Sequence, residues 1–169
     1  MWWWDYTHLK EPFAYGTDET YRRAAKFLGG AAVEDWGCGT GYARRFFRGG
    51  YVGIDLAQGG FADIQMDIRE RIAPYYSQVL LRHVLEHNLE WERILHNVRF
   101  ARRIAVVVFT PFGDETRVIN WTRNERGEVP DISFKKEDLT KHFPDYTEQE
   151  FETGIAYGKE TLFCVEMMR

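Results

Sequence analysis

Nine residues constrain this chain more than any others: Val33-Glu34-Asp35-Trp36-Gly37-Cys38-Gly39-Thr40-Gly41. A short run ends in an acid and then breaks into three glycines at alternate positions. Such a pattern reads as a strand entering a ligand-binding turn, because glycine tolerates positive φ and lets a ligand approach the backbone closely. The following stretch, Tyr42 to Arg48, reads as a helix whose first N–H groups would face that ligand. Twenty residues after Asp35, a second run, Tyr51-Val52-Gly53-Ile54, ends in Asp55. An acid at the carboxyl end of the next parallel strand can accept hydrogen bonds from both hydroxyls of a ribose. Together the two acids imply a nucleoside-containing cofactor.

The glycine spacing narrows the choice. Dinucleotide folds use G-x-G-x-x-G/A, whereas this turn gives G-x-G-x-G with Tyr42 where the last small residue should sit. A phosphate-binding loop would need Gly-Lys-Ser/Thr, which is absent. The string VEDWGCGTG resembles motif I of the class I S-adenosylmethionine-dependent methyltransferases. The resemblance implies a doubly wound, Rossmann-like α/β domain with seven strands, mostly parallel and the last antiparallel, spanning residues 1–169. It also implies S-adenosylmethionine as cofactor, with S-adenosylhomocysteine as product. Asp35, Gly37, Cys38, Gly39 and Gly41 would surround the cofactor's methionine end, with Asp55 and Leu56 at the ribose. Asp67 and Ile68 would form the adenine shelf, and Arg82 would open beside the sulfonium.

A second segment extends the likeness. Gln78 to His87, QVLLRHVLEH, begins as a continuous apolar run suited to a strand buried on both faces of a parallel sheet. It resembles motif IV of the same superfamily, often seen as D-x-V-x-x-x-x-V-L-E-H. Ser77 stands where an acid usually opens that strand, so the acid's role is absent here or supplied elsewhere. His83, just past the strand, is the best-placed general base for an oxygen or nitrogen acceptor; a histidine hydrogen-bonded at a strand end is the other reading. His83, Glu86 and His87 also spell H-x-x-E-H, known from inverted zinc peptidases. A zinc site would need this segment in a helix and a third ligand such as Glu150 or Glu152. The buried strand before it and the intact glycine turn weigh against that, so no metal is expected.

Along the rest of the chain, the first sixteen residues carry Trp2, Trp3, Trp4, Tyr6, Phe13 and Tyr15 without a clear period. They read as an irregular arm that covers the core, forms the lid of a pocket, or stacks on bases. Thr17 or Asp18 can cap a helix whose stripe is Tyr21, Ala24, Ala25 and Leu28, stopped by Gly29-Gly30. Ala62 to Met66 reads as a short third strand. Asn88 can cap a helix carrying Trp91, Ile94, Leu95, Val98 and Ala101. Ile104 to Phe109 is a fifth parallel strand, stopped by Thr110-Pro111-Phe112, which is not the N-P-P-Y/F signature of DNA amino-methyltransferases.

Residues 113–132 read as the longest loop, polar and anchored by Trp121, well placed to select substrate. Ser133 would start a helix to about His142, and Tyr146 to Glu152 with Lys159 to Met167 would form the closing hairpin. His87 and Trp121 are the candidate substrate contacts.

Composition limits the partners. A net charge of −4 argues against bulk electrostatic binding of nucleic acid and favours a small or neutral acceptor. Two cysteines make neither a disulfide framework nor a zinc pattern, and no apolar run reaches about 18 residues. A cytoplasmic protein without membrane contact is therefore expected, its oligomeric state unread. Two further classes stay open. One is a nucleic-acid methyltransferase holding a base with the tryptophan arm, Arg117, Arg123 and Arg126. The other is a module that binds S-adenosylmethionine without catalysis.

Overall fold

The computed structural model describes residues 5–57, 59–124, 127–154 and 158–167; Trp2, Trp3, Trp4 and Arg126 lie outside them. The chain opens with the arm, then α1 (Asp18–Leu28), β1 (Val33–Trp36) and β2 (Tyr51–Asp55). It continues through β3 (Ile64–Gln65), β4 (Gln78–Arg82), α2 (Trp91–Val98) and β5 (Arg103–Thr110). After these come β6 (Arg117–Asn124), β7 (Gly127–Ser133), α3 (Lys136–Thr140), β8 (Tyr146–Glu152) and β9 (Lys159–Glu166).

Seven strands form one sheet in the order β3-β2-β1-β4-β5-β9-β8, as the doubly wound expectation requires. Pairs among β1 to β5 are parallel, and β9 runs antiparallel to both β5 and β8. The closing hairpin of β8 and β9 is thus where the sequence put it.

Strand alternation divides the core between the two faces of the sheet. Ile104, Val106 and Val108 of β5 join Val79 and Leu81 of β4 on one face, packed against Trp91, Ile94, Leu95 and Val98 of α2. Ala105 and Val107 join Leu80 on the other face, under Tyr21, Ala24 and Leu28 of α1. The predicted stripes of both helices are therefore the buried ones. Thr17 caps α1 by accepting a bond from Glu19 N, and Gly29 ends it at φ 78°.

Five local expectations are corrected. The helix expected from Tyr42 to Arg48 is a five-residue 3₁₀ turn, Tyr42–Phe46, with Arg44 N bonded to Gly41 O. Gly49-Gly50 follow at once and the chain must re-enter the sheet at Tyr51, so an α-helix has no length to grow. The third strand shrinks to Ile64–Gln65 at the sheet edge. Asn88 does not cap α2; its amide donates to Val84 O, closing the 3₁₀ turn Leu85–His87. Residues 113–132 are mainly a β-hairpin, not a loop: β6 and β7 pair antiparallel with an irregularity between Val118 and Asn120. Because β7 absorbs Ser133, the helix after it begins only at Lys136.

No helix among the described residues is long and apolar enough to cross a membrane.

Candidate functional site

The sheet order reverses between β1 and β4, since β2 and β3 lie on one side of β1 while β4 and β5 lie on the other. Ligands of open α/β sheets bind in the crevice outside the carboxyl ends of strands at such a reversal. A cavity of about 440 Å³ opens there.

Its floor is the glycine turn. Gly37, at φ 76°, could not carry a side chain, because a Cβ would lie 2.5 Å from Val84 Cγ2. The turn's N–H groups are engaged within the protein: Gly37 and Cys38 donate to Ile54 O, Gly41 donates to Cys38 O, and Gly39 donates to Asp55 Oδ2. The N–H groups expected to face a ligand are those that open the following stretch, Tyr42 to Arg48, where Arg44 N is bonded to Gly41 O. What the turn itself presents is close-approach backbone between two carboxyls.

Asp35 ends near the foot of β1, 2% exposed, and accepts the Tyr51 hydroxyl at 2.5 Å. Burial pushes its carboxyl up to about 7, with the Tyr51 bond opposing the shift and Asp55 adding to it. Asp55 at the end of β2 accepts Gly39 N and Ala57 N, each at 2.7 Å. Burial also raises its value, against those backbone bonds. Burial drives the Cys38 thiol upward, so it lines the wall as an un-ionised group.

Leu56, Asp67, Ile68 and Arg69 continue the wall beyond Asp55. Asp67 accepts Arg69 N and the Arg69 guanidinium. Burial alone would raise Asp67, but those bonds hold it below the usual range. Of the residues expected around the cofactor, Gly41 alone is off the cavity wall; its place is against Phe61.

On the opposite side stands a polar core that the sequence did not announce. Arg82 turns toward α1, donating to Tyr21 Oη at 2.9 Å and to Glu160 Oε1 of β9 at 2.8 Å. Glu160, fully buried, also accepts Thr20 Oγ1 at 2.7 Å and meets His83 Nε2 at 2.9 Å. His83 Nδ1 lies 3.1 Å from Glu86 Oε1, which accepts Phe109 N as well. Burial would raise both glutamates, yet the His83 bonds, with Arg82 beside Glu160, hold both below the usual range. His83 has φ 52° and stacks on Phe109 with centroids 3.7 Å apart. Both ring nitrogens thus face acids rather than the cavity.

The remaining wall comes from the hairpin and the arm. His87 binds Pro130 O through Nδ1 at 3.1 Å and lies 3.3 Å from Asp131, pinning β7 to the turn after β4. Burial opposes charge on His87, but Asp131, Glu86 and Pro130 O together raise its pKa. Trp121, Glu128, Val129 and Pro130 line the cavity from β6 and β7, with Asn88 and Leu89 below. Trp121 is 43% exposed.

The arm crosses the cavity as a strap. Phe13 N and O both bond Thr40 Oγ1, Tyr15 sets its edge against His83, and Gly16 lies where any Cβ would overlap Glu160 Oε1. Tyr6, Phe13 and Tyr15 line the cavity, the placement that a lid requires. The zinc reading fails on geometry, since Glu150 and Glu152 sit on the exposed edge strand β8, paired with Lys159.

No family model and no curated protein matches the sequence. Among solved structures, the chain is similar to a SAM-dependent methyltransferase from Bacteroides fragilis crystallised in complex with S-adenosyl-L-homocysteine. The two are 16% identical, the match covers 93% of this chain and 78% of that one, and the TM-score is 0.52. At that identity the likeness establishes a shared fold.

Proposed function

We propose that the protein binds S-adenosylmethionine at the β1/β4 reversal and transfers its methyl group to a small-molecule acceptor. The observation that carries this reading is the glycine turn: the N–H groups of Gly37, Cys38, Gly39 and Gly41 are used internally while Asp35 and Asp55 flank it. A phosphate-bearing nucleotide needs free backbone donors there. A cofactor with ribose hydroxyls and a cationic amino-acid end needs acceptors, and this turn supplies acceptors. Support also comes from the fold shared with a SAM-dependent methyltransferase crystallised in complex with S-adenosyl-L-homocysteine.

In this reading Asp55 accepts the ribose hydroxyls, and Leu56 with Asp67 and Ile68 brackets the adenine. Asp35 and the arm tyrosines Tyr6 and Tyr15 surround the methionine end. When bound, the cofactor supplies an electrophilic methyl carbon on a sulfonium. The protein contributes proximity and alignment, the larger part of the barrier reduction in an in-line displacement, and the arm excludes water. His83 is reassigned from base to buckle: its ring, held by Glu86 and Glu160, fixes the turn after β4 and the roof under Tyr15.

Incubation with S-adenosylmethionine carrying an isotopically labelled methyl group and a small-molecule library tests the proposal. Label transferred to an acceptor with stoichiometric S-adenosylhomocysteine supports it. Saturable cofactor binding without transfer to any acceptor would favour a non-catalytic module instead.

A further inference from the structure

Resting on the cofactor reading above, we infer that the acceptor is a neutral aromatic nitrogen heterocycle, methylated on a ring nitrogen that carries a free lone pair and no proton. Three observations converge on this class.

The acceptor end of the cavity lies past the carboxyl end of β4, where His83, His87, Asn88 and Glu128 supply the polar groups. None is arranged to remove a proton from an acceptor. His83 has Glu86 on one nitrogen at 3.1 Å and Glu160 on the other at 2.9 Å, so both ring nitrogens are engaged within the protein. His87 is turned to Pro130 O and Asp131, and those contacts favour its charged form. The Glu128 carboxylate is paired with Arg123, and Asn88 is an amide bonded to Val84 O. Asp35 and Asp55 are taken up by the cofactor in the reading on which this inference rests. Alcohols and most phenols need general-base help at neutral pH; a ring nitrogen such as that of pyridine does not.

The charge balance of the wall points the same way. The guanidinium groups of the wall, Arg69 and Arg82, are already committed to Asp67 and to Glu160, and Glu128 is paired with Arg123, so a carboxylate acceptor is disfavoured. The walls fix the shape. Half-exposed Trp121 lines the cavity together with Leu89, Val129, Pro130, Tyr15 and Phe13. Planar apolar rings stack on such surfaces, and a nascent ring cation gains further from them.

The step then balances without a base. The ring-nitrogen pair forms the N–C bond to the methyl carbon, the C–S bond breaks with its pair moving to sulfur, and the positive charge moves from sulfur to the ring. No proton is released.

The test has a binding arm and a turnover arm. With S-adenosylhomocysteine present, calorimetry compares N-methylquinolinium with naphthalene; the cation is expected to bind at least 10-fold tighter, and Trp121→Ala to reduce that affinity at least fivefold. In turnover, pyridine, quinoline and 1-methylimidazole are compared with phenol, 1-naphthol and benzoate. Label transfer to at least one heterocycle, and not to the oxygen acceptors, is the expected result. Transfer to 1-naphthol, phenol or benzoate, or no transfer to any heterocycle by a protein that binds S-adenosylmethionine, overturns the inference while leaving the cofactor reading intact. Absence of cofactor binding overturns both.

Discussion

Replacing Glu160 by Gln isolates the polar core that closes the back of the cavity. Glu160 is fully buried and receives Thr20 Oγ1 at 2.7 Å, Arg82 Nη2 at 2.8 Å and the His83 ring at 2.9 Å. The amide keeps the shape but loses the charge, leaving the Arg82 guanidinium, also buried, without its counter-ion. Breaking a buried pair by neutralising one partner costs roughly 3–5 kcal/mol, because the desolvated charge that remains is uncompensated. For a chain of this size that is about 6–20 °C in melting temperature. Urea unfolding at pH 7, read by tryptophan fluorescence, measures the loss directly. The pH dependence supplies a second check. Glu160 and Glu86 are both held below the ordinary glutamate value of 4.5, so their contribution is fully present above that pH and is lost as pH falls through the lowered folded values. The wild-type curve should therefore fall more steeply with acidification below pH 4.5 than that of the Gln variant. A Glu160→Gln protein within about 1 kcal/mol of wild type, with the same acid limb, would refute the assignment of this cluster as a charged, interdependent unit.

Two other substitutions probe separate parts of the site. Asp55→Ala removes the carboxylate proposed to accept the ribose hydroxyls and should weaken cofactor binding by about 1.5–3 kcal/mol with the fold retained; unchanged affinity by calorimetry would displace the ribose from Asp55. Asp131→Asn should release the β6/β7 hairpin from His87, read as at least fivefold faster amide exchange across residues 117–133 at pH 6. The His87 pKa is raised and that of Asp131 lowered. The pair therefore stabilises most between about pH 4 and 6.5 and weakens as pH rises through the folded value of His87. Wild-type exchange in the hairpin should accordingly quicken between pH 6 and 9, and equal exchange in both proteins would contradict the pinning role.

The sequence made the sheet legible because its signals were local. Val33–Trp36, Tyr51–Asp55 and Arg103–Thr110 are short runs closed by a glycine, an acid or a proline, Gln78–Arg82 holds a continuous apolar run, and each is a strand. The hairpin was missed because Arg117 to Asn124 is polar enough to pass for a loop. Its strand character comes from pairing with residues 127–133, and the turn signal at Asn124 and Gly127 was the clue available. Spacing marks Asp35 and Asp55, and the family resemblance marks Asp67 and Ile68, all of which line the cavity, whereas neither shows the setting of His83. Its partner Glu160 stands 77 residues away on β9, and that proximity arises only when β9 inserts beside β5. The strap was half legible: the aromatics marked an arm over something, but Thr40 as its anchor is a tertiary fact.

The central claim is that the crevice at the β1/β4 reversal is a site for S-adenosylmethionine. Isothermal titration of the intact protein with S-adenosylmethionine tests it most directly. A single saturable site near 1 μM, roughly −8 kcal/mol, weakened at least 10-fold by Asp55→Ala, is the result this account predicts. No binding heat and no thermal shift with either S-adenosylmethionine or S-adenosylhomocysteine would contradict it.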